Sequence, residues 1–211
     1  LIGAKVGTYA MGEQTLAHQV LDHADKSMLI IADRGFVGYP LWKRALQTGA
    51  KLLFRARDNQ VLPVDQHLDD GSYLSEIFEN PKARRHGQGV RVRVIEYQLQ
   101  GSPEAYRLIT NWLDEVKAPA AELAALYHRR WKIEMALGEI KTQLNDSLTL
   151  RSKTPVLVEQ EFYALLLAHA AIRSLMTAAA KQTKQASEDL SFIHAVQVLR
   201  RRLPAQAALP P

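Results

Sequence analysis

A phenol, two cations and a carboxylate recur at fixed intervals between residues 127 and 141, as Tyr127, Arg130, Glu134 and Lys141. On a helix turning about 100° per residue, all four fall within about 60° of one another on one face. Leu126, Ile133, Leu137, Ile140 and Leu144 form an adjoining apolar stripe, which predicts that this face runs along the edge of a buried side. A second carboxylate, Asp33, follows the apolar run Ser27–Ala32. It sits at the carboxyl end of a predicted strand, where open α/β sheets place their ligands. Both features have blander readings. Charge runs usually form a solvated helix face laced with ion pairs, and an isolated Asp more often caps a turn.

The elements that must position these groups are legible in outline. Leu1–Gly7 reads as a short strand, and Glu13–Ala24 as a helix with Leu16, Ala17, Val20 and Leu21 buried. Ser27–Ala32 is a continuous apolar run of strand length, which predicts burial on both faces. Pro40 opens a helix that Gly49 closes, and Lys51–Arg57 is the next strand. Strand, helix and strand in so few residues imply a parallel, right-handed crossover.

From Asn59 to Leu113 the pattern turns β-rich. Val90, Val92 and Val94 alternate with Arg91 and Arg93 along the strand Val90–Leu99, and Tyr106–Leu113 is its expected partner. Pro81–Gly89 reads as a basic loop carrying Lys82, Arg84, Arg85 and His86. Pro119 gives the segment bearing Tyr127 to Lys141 a helical start, and no Gly or Pro interrupts that segment before Gly138. Val156–Lys181 and Ser187–Leu203 complete the chain as helices, with Arg200, Arg201 and Arg202 at the end of the second and His169 and Arg173 structural on the first.

The chain has 211 residues, 47% of them hydrophobic, enough for a sizeable core. A net charge of +5 and a pI near 9.5 suit a polyanionic partner. With no cysteine, disulfides and thiolate metal sites are excluded, so any metal is hard and oxygen-bound or held by His. No signal peptide is visible, and the apolar run Ala164–Ala180 reads as too short and too interrupted to span a bilayer. The expected location is cytoplasmic. The first residue is Leu1, which predicts a piece of a longer protein.

The spacing Y-x2-R-x3-E-x6-K resembles the signature of bacterial insertion-sequence transposases, the YREK subgroup of the DDE superfamily. Asp33-Arg34-Gly35-Phe36 after an apolar strand is similar to the family's surroundings of its second catalytic Asp. Gly12-Glu13, Leu16-Ala17, Gly49-Ala50, Arg55 and the connector Leu150–Pro155 also look like that family. The resemblance implies an α/β, ribonuclease-H-like catalytic core lacking its amino-terminal strands, with a β-rich insertion and carboxyl-terminal helices. On that basis the segments are 1–58 for the partial core, 59–117 for the insertion, 118–150 for the motif helix and 151–211 for the last helices.

It further implies cleavage and joining of DNA strands at transposon ends, with Mg²⁺ or Mn²⁺ held by Asp33 and Glu134. Two metal ions about 4 Å apart can drive such phosphoryl transfer. The two carboxylates are therefore expected roughly 4–8 Å apart. Tyr127, Arg130 and Lys141 are expected to hold phosphates, as Arg forks and Lys point charges suit phosphate oxygens. Double-stranded DNA is the implied partner, with room for a homodimer in a synaptic complex, no membrane, and a nucleoid location.

The family's first Asp has no counterpart here. Asp25 precedes the strand that leads to Asp33, and so falls at its wrong end. The 211-residue chain is therefore expected to be inactive alone. A non-catalytic DNA-binding remnant and another ribonuclease-H-like nuclease are the alternative readings.

Overall fold

The computed structural model describes residues 2–8, 10–99, 101, 105–144, 149–187 and 189–206. They form two compact units, Ile2–Arg130 and the residues from Trp131 onward.

The first unit is built on one six-stranded mixed sheet. Its strands are β1 (Leu29–Ala32), β2 (Lys51–Arg55), β3 (Gln66–His67), β4 (Tyr73–Ile77), β5 (Val90–Gln98) and β6 (Ala105–Thr110). They lie in the order β1-β2-β6-β5-β4-β3. β1 and β2 are parallel, with Leu29 opposite Lys51 and Ala32 opposite Phe54, and every other pairing is antiparallel. The predicted crossover is present. Its helix, α2 (Tyr39–Gln47), has Pro40 in the first turn and ends against Gly49 at φ +76. A side chain at Gly49 would be strained by that angle and would crowd Lys26. The first helix, α1 (Glu13–Val20), continues as a 3₁₀ turn over Leu21–His23.

β2 is the strand buried on both faces, not β1. Leu52 and Phe54 point into one core with Leu41, Trp42, Val92, Val94 and Ile109. Leu53 points into the other with Ile95, Leu108, Leu123 and Tyr127. Trp42 meets Phe54 edge to face at 5.1 Å, and burying side chains of this size is worth about 1.5–3 kcal/mol each. β1 lies at the sheet edge and is only half-buried along its length. This corrects the expectation that the run Ser27–Ala32 is buried on both faces, because burial follows position in the sheet as well as apolar content. Residues 2–8 are not a strand either, and none of the described strands pairs with them. Leu1 is outside the described residues.

β5 and β6 pair as expected, and β6 also bonds to β2, so the β-rich segment extends the same sheet. Residues 81–85 of the predicted basic loop form a short exposed helix, α3 (Pro81–Arg85), whose start is capped by Asn80 accepting from the Ala83 N–H at 2.9 Å. The alternation along β5 fails at Arg93, which is fully buried between Val92 and Val94.

The segment expected as one helix through residue 141 is broken. α4 (Ala120–His128) ends in a tight turn at Arg129 and Arg130, whose N–H groups donate to Leu126 and Tyr127 carbonyls at 3.0 Å. α5 (Trp131–Glu139) begins afresh in the second unit and passes into a π-helical turn, Ile140–Leu144. The one-face geometry therefore does not carry from residue 127 to residue 141. Ile133 and Leu137, expected in a buried stripe, are 60% and 45% exposed.

The second unit also holds α6 (Pro155–Thr183) and α7 (Phe192–Gln206), packed through Ile172, Met176, Phe192 and Val196. α7 starts later than Ser187 and runs on past the three arginines; Glu188 is outside the described residues. At 29 residues, α6 is long and apolar enough to cross a membrane, by length and composition only. That corrects the shorter reading of its apolar run. Here α6 carries a polar cluster through His169 and Arg173, which bond Glu139.

Candidate nucleic-acid and metal site

In the first unit the site starts from Asp33, one residue past the end of β1. Its Oδ1 accepts the Gly35 N–H at 2.8 Å and its carbonyl accepts the Phe36 N–H at 3.2 Å. The turn-capping role and the strand-end position are thus both present. The second oxygen, Oδ2, lies 4.0 Å from a guanidinium nitrogen of Arg130. The tight turn after α4 brings this about, because it removes Arg130 from the helical ladder and lets its side chain reach the sheet edge. Two residues from opposite ends of the sequence pattern therefore meet.

Tyr127 is 3% exposed, packed with Leu53, Ile95, Leu108 and Leu123. Burial pushes its hydroxyl pKa up, and the guanidinium groups of Arg130 and Arg55 oppose that shift. Arg130 lies over its ring at 5.8 Å. Around it stands an aromatic group that sequence reasoning missed. Tyr97 stacks on Tyr106 at 5.3 Å, Arg55 sits 4.3 Å above the Tyr106 ring, and the Tyr97 hydroxyl bonds His128 Nε2 at 3.1 Å. The strand register offered a signal, because Tyr97 and Tyr106 face each other across β5 and β6.

The start of α4 is fixed by a second group missed in the sequence. Arg93 donates to the Ala118 carbonyl and to the Ser72 hydroxyl, each at 2.7 Å, and pairs with Asp70. Asp70 Oδ2 also accepts the Ala120 N–H at 2.8 Å, so one carboxylate satisfies both the buried guanidinium and the first turn of α4. Burial alone would raise the Asp70 pKa. The Ser72 hydroxyl, the Ala120 and Ser72 amides and Arg93 outweigh it, and hold that carboxyl below its ordinary value.

In the second unit, Glu134 is half-buried on α5 and Lys141 is exposed on the π-helical turn. Asp33, Tyr127 and Arg130 belong to one unit, and Glu134 and Lys141 to the other.

Mg²⁺ takes one or two carboxylates and fills its other positions with water or substrate oxygens. Asp33 fits as one such ligand, since it is 42% exposed and Oδ1 alone is engaged by the backbone. Among the described residues no three His, Asp or Glu side chains gather tightly enough to hold an ion. A strand-end carboxylate beside a guanidinium on a mixed α/β sheet is the arrangement the structure shows here.

A family profile described as the transposase DDE domain matches residues 1–171, and the chain belongs to that family. It is 30% identical over 220 residues to the transposase InsG for insertion sequence element IS4 of Escherichia coli strain K12. That alignment covers all of this chain and 49% of the relative, so the chain spans about half that protein's length. The insertion-sequence resemblance and the α/β, ribonuclease-H-like class are therefore borne out.

Proposed function

We propose that this chain serves a DNA transposase that cleaves and joins strands at transposon ends by metal-dependent phosphoryl transfer. The observation that carries the reading is the strand-end Asp33 with Arg130, from the Tyr-Arg-Glu-Lys pattern, 4.0 Å from its outer oxygen. Asp33 and Glu134 are the metal-ligating carboxylates. They would hold Mg²⁺ or Mn²⁺, which would supply charge stabilisation for the attacking and leaving oxygens. Arg130 and Lys141 hold phosphate oxygens of the end DNA, Arg130 through its planar fork. Tyr127 supports Arg130 from beneath through its ring face, and its hydroxyl is its own route to a phosphate. Double-stranded DNA is the partner, two copies assemble in a synaptic complex, and the protein acts at the nucleoid in the cytoplasm.

The test is cleavage of end-containing duplex DNA by the complete protein, with Asp33→Asn and Glu134→Gln each expected to abolish it in Mg²⁺ and in Mn²⁺. Wild-type cleavage by either variant would remove that carboxylate from the site. A second reading has its own support. Among the described residues no three possible metal ligands gather, while Arg130 and Lys141 are kept, an arrangement compatible with a DNA-binding remnant. On both readings the 211-residue chain alone binds DNA without cutting it, and Mg²⁺-dependent cleavage by this chain would overturn that expectation.

A further inference from the structure

The second unit contains a charged cluster that the proposed chemistry does not use. Glu139 ends α5, and its side chain is 12% exposed. Oε2 bonds His169 Nε2 at 2.8 Å and accepts the Arg173 Nε–H at 3.1 Å, while Oε1 pairs with the other arm of the Arg173 guanidinium. Both partners rest on Phe192, the first residue of α7. The His169 ring is 5.1 Å from the Phe192 ring and the Arg173 guanidinium 5.2 Å above it. One carboxylate thus binds α5 to α6 above a residue of α7. An arginine held by both arms fixes direction as well as distance.

The position of this anchor along the chain gives it a consequence. Glu139 is five residues after Glu134 and two before Lys141, and the helix changes from α to π at the very next residue, Ile140. A π-helical turn is rare and is found mostly where a site requires it. It alters the angular spacing between residues before and after it, so it sets where Lys141 stands relative to Glu134. The Thr142 hydroxyl bonds the Gly138 carbonyl at 2.8 Å within the same turn. An anchor immediately before this irregular turn holds the register of both functional residues at once.

We propose that Glu139, clamped by His169 and Arg173, is a positioning residue that fixes Glu134 and Lys141 on one segment. The proposal rests on the metal and phosphate roles assigned to those two residues above. Misplacing a reacting group by about 1 Å lowers rates by about a hundredfold, whereas a structural contact of similar strength would lower stability without changing the rate of folded protein.

The experiment uses the complete protein and three measurements: single-turnover cleavage of end-containing DNA, the half-saturating Mg²⁺ concentration, and thermal unfolding. Glu139→Gln keeps the shape and loses the charge. Its cleavage rate constant at saturating DNA is expected to fall about 10–100-fold and its Mg²⁺ requirement to rise, with DNA affinity falling no further than in Lys141→Ala. Arg173→Lys keeps the charge and loses the fork, so it should show the same two changes more weakly, with melting unchanged. Glu139→Gln with a wild-type rate and Mg²⁺ response overturns the proposal, whatever its melting temperature. Should Glu139→Gln not fold, Arg173→Lys decides, and a wild-type Mg²⁺ response there overturns it equally. Glu134→Gln runs alongside; if it cleaves like wild type, the metal role of Glu134 fails and the failure is not that of the clamp.

Discussion

Arg130 and Lys141 act, in this reading, as phosphate ligands, while Glu134 acts on the metal, and that division is measurable residue by residue. Arg130→Ala and Lys141→Ala in the complete protein should each weaken binding to end DNA and lower the salt slope by about one phosphate contact. Glu134→Ala should leave binding intact and abolish cleavage. Equal loss of binding in all three would show that the segment is structural. Tyr127 needs a different test because it is both buried and polar. Tyr127→Phe keeps the ring against Leu53 and Leu123 and should change stability by no more than about 0.5–1.5 kcal/mol. Tyr127→Ala opens a cavity in that core and should cost about 3–5 kcal/mol in urea unfolding. A Tyr127→Phe variant that folds normally but loses DNA affinity would give the hydroxyl a direct phosphate contact; one that binds like wild type would leave only the support of Arg130.

At the scale of elements, α4 depends on a single buried ion pair for its start. Arg93 is fully buried, so Arg93→Ala leaves Asp70 and the Ala118 carbonyl without their partner and should cost about 3–5 kcal/mol. The pH dependence follows from the same pair. The folded-state pKa of Asp70 is depressed, so its contribution is present above the unfolded value of about 3.9 and lost as pH falls through the folded value. Asp70→Asn should therefore be less stable at pH 7 and should flatten the loss of stability below about pH 4. An unchanged acid limb in urea titrations would show that other carboxylates dominate it. These elements also mark what was legible in the sequence. The crossover β1–α2–β2 could be read because Pro40, Gly49 and two apolar runs are local signals. The pairing of β5 with β6 followed from alternation. Arg93 was not legible, since an alternating strand predicts an outward arginine and its burial depends on Asp70, 23 residues away. The break after His128 was hidden for a similar reason: no Gly or Pro marks it, and residues 129–130 are good helix formers by type. Asp33, Arg130 and Tyr127 were singled out by motif spacing, which does not depend on the helix continuing unbroken.

Taken as a whole, the molecule leaves the two edges of its sheet in unlike states. β3 closes one edge with two exposed residues, short enough to offer little to another chain. β1 closes the other with Leu29, Ile30, Ile31 and Ala32, uncharged and half-buried, and among the described strands only β2 pairs with it. Its outer N–H and C=O groups face away from β2 beside apolar side chains, the arrangement that templates edge-to-edge pairing. The net charge of +5 opposes close approach, but screening at physiological salt confines that repulsion to about 8 Å. Backbone pairing acts at shorter range and should win as concentration rises. The 211-residue chain should therefore self-associate at micromolar to millimolar concentration, with its sedimentation mass rising on concentration. Amide hydrogen exchange locates the contact: a peptide covering residues 28–33 should gain protection as the mass rises, while one covering 66–67 should not. A mass that rises without new protection at residues 28–33 would move the contact elsewhere, and the exposed α5 side chains Trp131, Ile133 and Met135 would be the next surface to test. A chain that stays monomeric across the range would show that the β1 edge is shielded despite its composition.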